Sequence, residues 1–176
     1  MFLLESDNLL LAFSISSILK QKEIFHTLEK KEKYFFTVKI IQKNKFIEIQ
    51  SINNSLKIET PTTINHLIKK ISQSFIDFNL DIKGAKFYPL KRSLVYKNKE
   101  AYLGDIHFSI FSQLMLNRNE GLDKIKLYKD IWPWDKDLQL NKLDTHLTNL
   151  KNHLKEKINI DFLFFSRSGL IYIGVD

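Results

Sequence analysis

Residues 138–157 carry Asn141, Lys142, Thr145, Thr148, Asn149, Lys151, Asn152 and Lys155. Amides, hydroxyls and ammonium groups are the side chains that hydrogen-bond phosphates and base edges. A helix that meets only water usually mixes Glu with Lys at i,i+4 spacing. Here the acids are Asp144, early, and Glu156, late. Leu140, Leu143, Leu147, Leu150 and Leu154 recur at steps of three and four, which gives one narrow apolar seam to bury. Five leucines span about two heptads, short of the ~3–4 that mark a coiled coil. The polar side is therefore expected to lie against double-stranded DNA.

Two apolar runs follow, 158–165 and 170–175, around Ser166-Arg167-Ser168-Gly169, a sequence suited to a tight turn. A hairpin after such a helix, with Arg167 near its tip, is a winged helix-turn-helix layout. The negative potential of a narrow minor groove attracts an arginine in that position. Arg92, Arg118 and Arg167 all lie in the second half of the chain. Lys124 and Lys126, at the start of the preceding helix, are further candidates for phosphate contacts.

Other chemistries are poorly provided for. There is no cysteine, which excludes disulfides, thiolate metal sites and a cysteine nucleophile. Five histidines are scattered without ligand spacing, so no metal, cofactor or catalytic residue is expected and the protein is not expected to be an enzyme. Apolar runs stay below the ~18 residues needed to cross a bilayer. Residues 1–12 contain Glu5 and Asp7 and lack the basic start of a signal peptide. A soluble, cytoplasmic protein is expected. Its 27 Lys and Arg against 20 Asp and Glu, net +7, favour a polyanionic partner.

The 176 residues, 44% hydrophobic and 12% aromatic, suffice for two small cores. The reading is α+β, with a boundary after residue 81 dividing 1–81 from 82–176. The first half reads β-α-β-β-β-α. A strand at 2–4 precedes a helix capped by Ser6 or Asp7. Strand-like runs occupy 34–41, 46–50 and 55–59, joined by the short polar stretches 42–45 and 51–54, which suit hairpins. Thr60-Pro61-Thr62-Thr63 then opens a helix with Ile64, Leu67, Ile68, Ile71, Phe75 and Phe78 as its stripe. The second half reads as leading strands at 87–90, 93–96 and 101–103, helices at 105–116, 123–131 and 138–157, and the terminal hairpin.

Phe87-Tyr88-Pro89, Ser93-Leu94-Val95-Tyr96, Leu127-Tyr128-Lys129-Asp130-Ile131-Trp132 and Leu143-Asp144-Thr145-His146-Leu147-Thr148-Asn149-Leu150-Lys151 follow one another in order. With Phe108 in the first helix, this stretch resembles the effector domain of OmpR/PhoB-class response regulators over about ninety residues. The resemblance implies a winged helix with a leading antiparallel sheet and a C-terminal wing. It also implies that the turn 132–138 presents Trp134 and Asp135 to RNA polymerase. Asn149 and Lys151 stand where that family usually has arginine, which lowers the expected grip on phosphate.

The ends of the first half resemble a response regulator's receiver, reduced in length. Phe2-Leu3-Leu4-Glu5-Ser6-Asp7 is similar to the strand entering the acidic pocket, and Leu56-Lys57-Ile58-Glu59-Thr60-Pro61 to the last strand and its turn. Receiver chemistry needs an aspartate nucleophile, an acidic pair for Mg²⁺ and a lysine. No Asp occurs between Asp7 and Asp77, and Thr60 stands at the lysine's place. No phosphoacceptor and no metal are therefore expected, and the half is expected to form a homodimer. The expectation is a DNA-binding regulator independent of phosphorylation. The alternative is an adaptor whose winged helix binds a protein.

Overall fold

The computed structural model describes all residues except 1, 23, 25, 31, 52, 53 and 176; the side chains of 54, 74 and 175 are also outside the description. The chain is α+β and divides into two units, Met1–Asp77 and Phe78–Asp176. The expected division after residue 81 falls inside a strand of the second unit. Phe78, expected on the stripe of the first unit's last helix, also belongs to the second.

In the first unit β1 (Phe2–Ser6) leads to α1 (Leu9–Gln21), β2 (His26–Thr27), β3 (Thr37–Gln42), β4 (Phe46–Ser51), β5 (Asn54–Glu59) and α2 (Ile64–Phe75). The strands lie in the order β2-β1-β3-β4-β5, with β1 parallel to both neighbours and β3, β4 and β5 antiparallel. A reduced receiver would keep its strands parallel, and here the sheet is mixed. Parallel neighbours need a crossover of about a dozen residues or more, whereas β3 and β4 are joined by residues 43–45. Ile52 and Asn53 of the expected connection 51–54 lie outside the described residues.

Alternation along the strands sends Val38, Ile40, Ile47, Ile49 and Ile58 into one buried face. α1 touches β1, α2 touches β5, and the helices touch each other, so both cover that face. The opposite row carries Lys39, Glu48 and Lys57; Glu48 accepts from Gln50 Nε2 at 3.0 Å and Ser55 Oγ at 2.8 Å. The cap of α1 is Asn8, whose Oδ1 accepts from Leu11 N at 3.1 Å, in place of Ser6 or Asp7. Those two are engaged elsewhere: Ser6 Oγ accepts from Asn8 N, and Asp7 from Gln42 N. α2 is capped by Thr63, two residues after Pro61.

The second unit opens with a four-stranded antiparallel meander, β6 (Leu80–Ile82), β7 (Ala85–Tyr88), β8 (Ser93–Tyr96) and β9 (Lys99–Tyr102). α3 (Asp105–Leu116), β10 (Leu122–Asp123), α4 (Lys124–Ile131) and α5 (Leu140–Ile158) follow, then β11 (Phe162–Arg167) and β12 (Leu170–Val175). β10 pairs with β12, so the terminal hairpin becomes a three-stranded sheet. The three helices touch one another, α5 also touches β8, β9 and β11, and α3 touches β12. Their common core contains Phe87, Phe108, Phe111, Leu127, Tyr128, Leu143, Leu150, Leu154 and Phe162.

Ser168 and Gly169 form a two-residue turn with φ of 51° and 79°, the positive values that suit the twist of a hairpin. Gly121 has φ of 76°, and a Cβ there would come within 2.6 Å of the Tyr172 ring. Only glycine fits beneath that ring, which stacks on Phe165 with centroids 5.4 Å apart.

Candidate nucleic-acid interface

α5 buries Leu143, Leu147, Leu150, Leu154 and Ile158. Leu140, expected to begin this seam, is half-buried at the first turn. The opposite side exposes Asn141, Thr145, Thr148, Asn149 and Asn152. At 3.6 residues per turn these five share one strip, because they are three or four positions apart. Thr145 Oγ1 donates to Asn141 O at 2.8 Å, and Thr148 Oγ1 to Asp144 O at 2.9 Å. Their hydroxyl hydrogens are thereby occupied, leaving oxygen lone pairs and methyl groups outward. The strip is neutral, offering amide donors and acceptors, hydroxyl acceptors and methyls. Glu156 is exposed further along the helix and pairs with Lys157 at 3.1 Å.

The lysines beside the strip are already engaged. Lys124 reaches both oxygens of Asp144, at 2.6 and 2.8 Å. Lys142 lies 2.8 Å from Asp135 and 4.5 Å above the Trp132 ring centroid. Lys151 and Lys155 share Asp161, at 3.0 and 2.8 Å. The hydrogen bonds from Lys155 and then Lys151 hold the Asp161 carboxyl below the usual carboxylate range, and the same contact raises Lys155. The helix itself carries only two acids, Asp144 and Glu156, and three of its lysines pair with acids from outside it. Asp135 and Asp161 lie outside the helix in sequence, and the fold brings them to its flanks. Lys126 and Arg167 are exposed and have no ion pair among the described residues.

The other two arginines serve the unit itself. Arg92 pairs with Asp105 and lies over the Phe108 ring at 5.3 Å, fixing β8 to the start of α3. Arg118 donates to the Asp81 carbonyl at 3.1 Å. Asp123 caps α4 by accepting from Lys126 N at 2.7 Å.

In the turn between α4 and α5, Asp135 is tied inward. It accepts from Lys142 and from the Tyr128 hydroxyl. Those bonds, Lys142 first, hold its carboxyl low, while burial and then Asp135 raise the Tyr128 phenol. Asp135 thus ties α4, the turn and α5 together instead of presenting a free carboxylate. Trp134 is different, with 91% of its surface exposed.

The first unit gathers Asp7, Asn8, Gln42 and Thr60 around an open cleft at the end of β1 and β3. Asp7 holds the Gln42 amide, and Glu5 pairs with Lys30 at 2.8 Å. Among the described residues no group of three or more acids and histidines could hold a metal ion.

One cluster escaped the sequence reading. His107 on α3 lies between His146 and His153 of α5, with ring centroids 5.9 and 6.3 Å away. His146 also packs on Trp132 at 5.3 Å, and His153 Nε2 donates to the Tyr102 carbonyl at 2.9 Å. Burial, and then the two neighbouring imidazoles, lower the His107 pKa. The seven-residue spacing of His146 and His153 places them two helical turns apart on one face, the sequence signal available for this stack.

No family model and no curated protein matches the chain. One solved structure similar to it is described as "a novel family of redox sensors in the streptococci evolved from two-component response regulators". The similarity has a TM-score of 0.39 at 15% identity and covers 68% of this chain. The chain spans 56% of that structure's length. No helix among the described residues is long and apolar enough to cross a membrane.

Proposed function

We propose that this protein is a double-stranded DNA-binding regulator whose second unit is a winged helix, with α5 read into the major groove and the β11–β12 tip into the minor groove. The observation that carries the reading is the exposed Asn141, Thr145, Thr148, Asn149 and Asn152 strip on α5. Asparagine can pair bidentately with adenine, and threonine methyls can contact thymine methyls, so A·T-rich sites are favoured. The regulator is read as independent of receiver phosphorylation, since no aspartate lies between Asp7 and Asp77 to accept a phosphoryl group.

The ion pairs change the expected energetics. A lysine that exchanges aspartate for phosphate releases few counterions, so the salt dependence is carried by Lys126 and Arg167. The slope of log K against log salt is then about −2 per protomer, against about −5 if all six basic candidates met phosphates unpaired. Anisotropy titrations of A·T-rich and G·C-rich duplexes at several salt concentrations test this. Tighter A·T binding with the shallow slope supports the reading, and absence of duplex binding at low salt rejects it.

A second reading, a protein-binding adaptor, is favoured by the exposed Trp134 indole and the neutralised lysines. It predicts no duplex binding, and quenching of Trp134 fluorescence by a protein partner such as RNA polymerase.

A further inference from the structure

The terminal sheet has two faces. Phe162, Ile171 and Ile173 are buried in the core of the second unit. By alternation the other face carries Leu163, Phe165 and Arg167 of β11, opposite Gly174, Tyr172 and Leu170 of β12. On it the Tyr172 ring lies against Gly121, and the Phe165 ring stacks on Tyr172 with an interplanar angle of 13°. A Cβ at Gly174 would come within 3.6 Å of Phe165 Cε1, so the ring extends over a residue that has no side chain. Phe165, the last ring of this stack, is 48% exposed. β11 is the edge of its sheet among the described residues. An aromatic plane is thus held in one orientation and left in water.

Charge decides what that plane receives. β11 contains no acid, and Arg167 lies two residues beyond Phe165 on the same face, about 7 Å along the strand. At the other end of β11, Lys151 and Lys155 meet the single carboxylate of Asp161, which leaves one positive charge in excess. Asp123, the acid on the far edge of the sheet, is bound to the Lys126 N–H. Cations at both ends of a strand with an exposed ring between them match a polyanion whose units carry flat aromatic groups. Unpaired bases splay out and stack on aromatic side chains, whereas paired bases stack on one another. We propose that this face binds single-stranded nucleic acid, with an unpaired base stacked on Phe165 and the adjoining phosphate on Arg167. An apolar protein segment would use the ring but not the cations on either side of it. Arg167 is shared with the duplex reading; Phe165 has no part in that reading, and the inference does not depend on the α5 strip.

Anisotropy titration of the full chain with labelled thymidine DNA and uridine RNA strands of about 12 nucleotides tests it. Binding of either strand at low salt supports the inference, and the ratio of the two affinities tells DNA from RNA. Phe165→Ala should raise the dissociation constant about tenfold, the loss of one base stacked on an aromatic ring. Phe165→Trp should preserve binding and supply an indole whose emission the strand quenches beyond any change in the wild type, so the test survives if alanine loosens the stack. Arg167→Ala should weaken binding and lower the salt slope by about 0.7. Titration with the A·T-rich duplex separates the two readings. Duplex binding without binding of either strand overturns this inference and leaves the α5 reading standing, whereas binding of single strands alone supports this one and rejects the other. Equal affinity of Phe165→Ala and the wild type, or a Phe165→Trp indole that the strands leave unquenched, also overturns it.

Discussion

Asp161 receives Lys151 and Lys155 together, so one carboxylate neutralises two of the charges offered by α5. Asp161→Asn should release both lysines for phosphate. Duplex affinity should rise and the salt slope should steepen by about 2, which anisotropy titrations would read. Asn149→Ala tests the strip itself, with an expected loss of about 1–3 kcal/mol confined to the preferred sequence. Lys151→Ala should cost less, because Lys155 keeps Asp161 satisfied. The strip was legible in the sequence, since Asn, Thr and Lys at three- and four-residue steps declare a face. The pairings were not. Helical spacing reveals partners within one turn, whereas Asp135 reaches Lys142 and Asp161 reaches Lys151 through chain reversals outside α5.

Among the elements, those with a strong period or a distinct cap were legible: α3, the leucine-seamed α5, the Asp123 cap and the β12 strand. The strands β2, β6 and β10 contain two or three residues each. Such lengths carry no alternation to detect, and these strands exist because a neighbouring strand offers hydrogen bonds. β10 matters most, for it ties the start of α4 to the terminal hairpin, and Gly121 just before it admits the Tyr172 ring. Gly121→Ala would place a methyl group 2.6 Å from that ring in a backbone region alanine resists. A loss of about 2–4 kcal/mol is expected in a denaturant or thermal melt of the second unit, more than strain at positive φ alone would cost.

Across the whole molecule, each unit contains a histidine whose pKa is lowered mainly by burial, His26 in the first and His107 in the second. His26 Nδ1 donates to the Ile24 carbonyl at 2.8 Å, so Nε2 accepts from Ser16 Oγ at 2.7 Å in the neutral ring. Burial favours the neutral form, so the unfolded chain takes up the proton first as pH falls below the ordinary value of 6.5. Calorimetry should therefore find stability flat above that pH and declining below it, until the folded-state values are passed. His107→Gln should remove part of the decline in the second unit and leave the first unaltered. The two-unit organisation was legible from the change in element pattern. In the first sheet the β3–β4–β5 hairpins were legible from the short polar connections 42–45 and 51–54, whereas the parallel pairing of β1 with β2 and β3 was not, because nothing within β1 names its neighbours.

β1 sits inside that sheet, with Phe2, Leu3 and Leu4 each 1% exposed and hydrogen-bonded neighbours on both sides. During synthesis it leaves the ribosome long before β3, the strand that supplies most of its pairing. The nascent segment therefore lacks most of its pairing until residue 40 has emerged, with only the two-residue β2 available earlier, while the β3–β5 meander can assemble from local contacts. Completion of this half is thus timed by the late arrival of a docking site for its earliest strand, which makes stalled, partly translated chains its most aggregation-prone form.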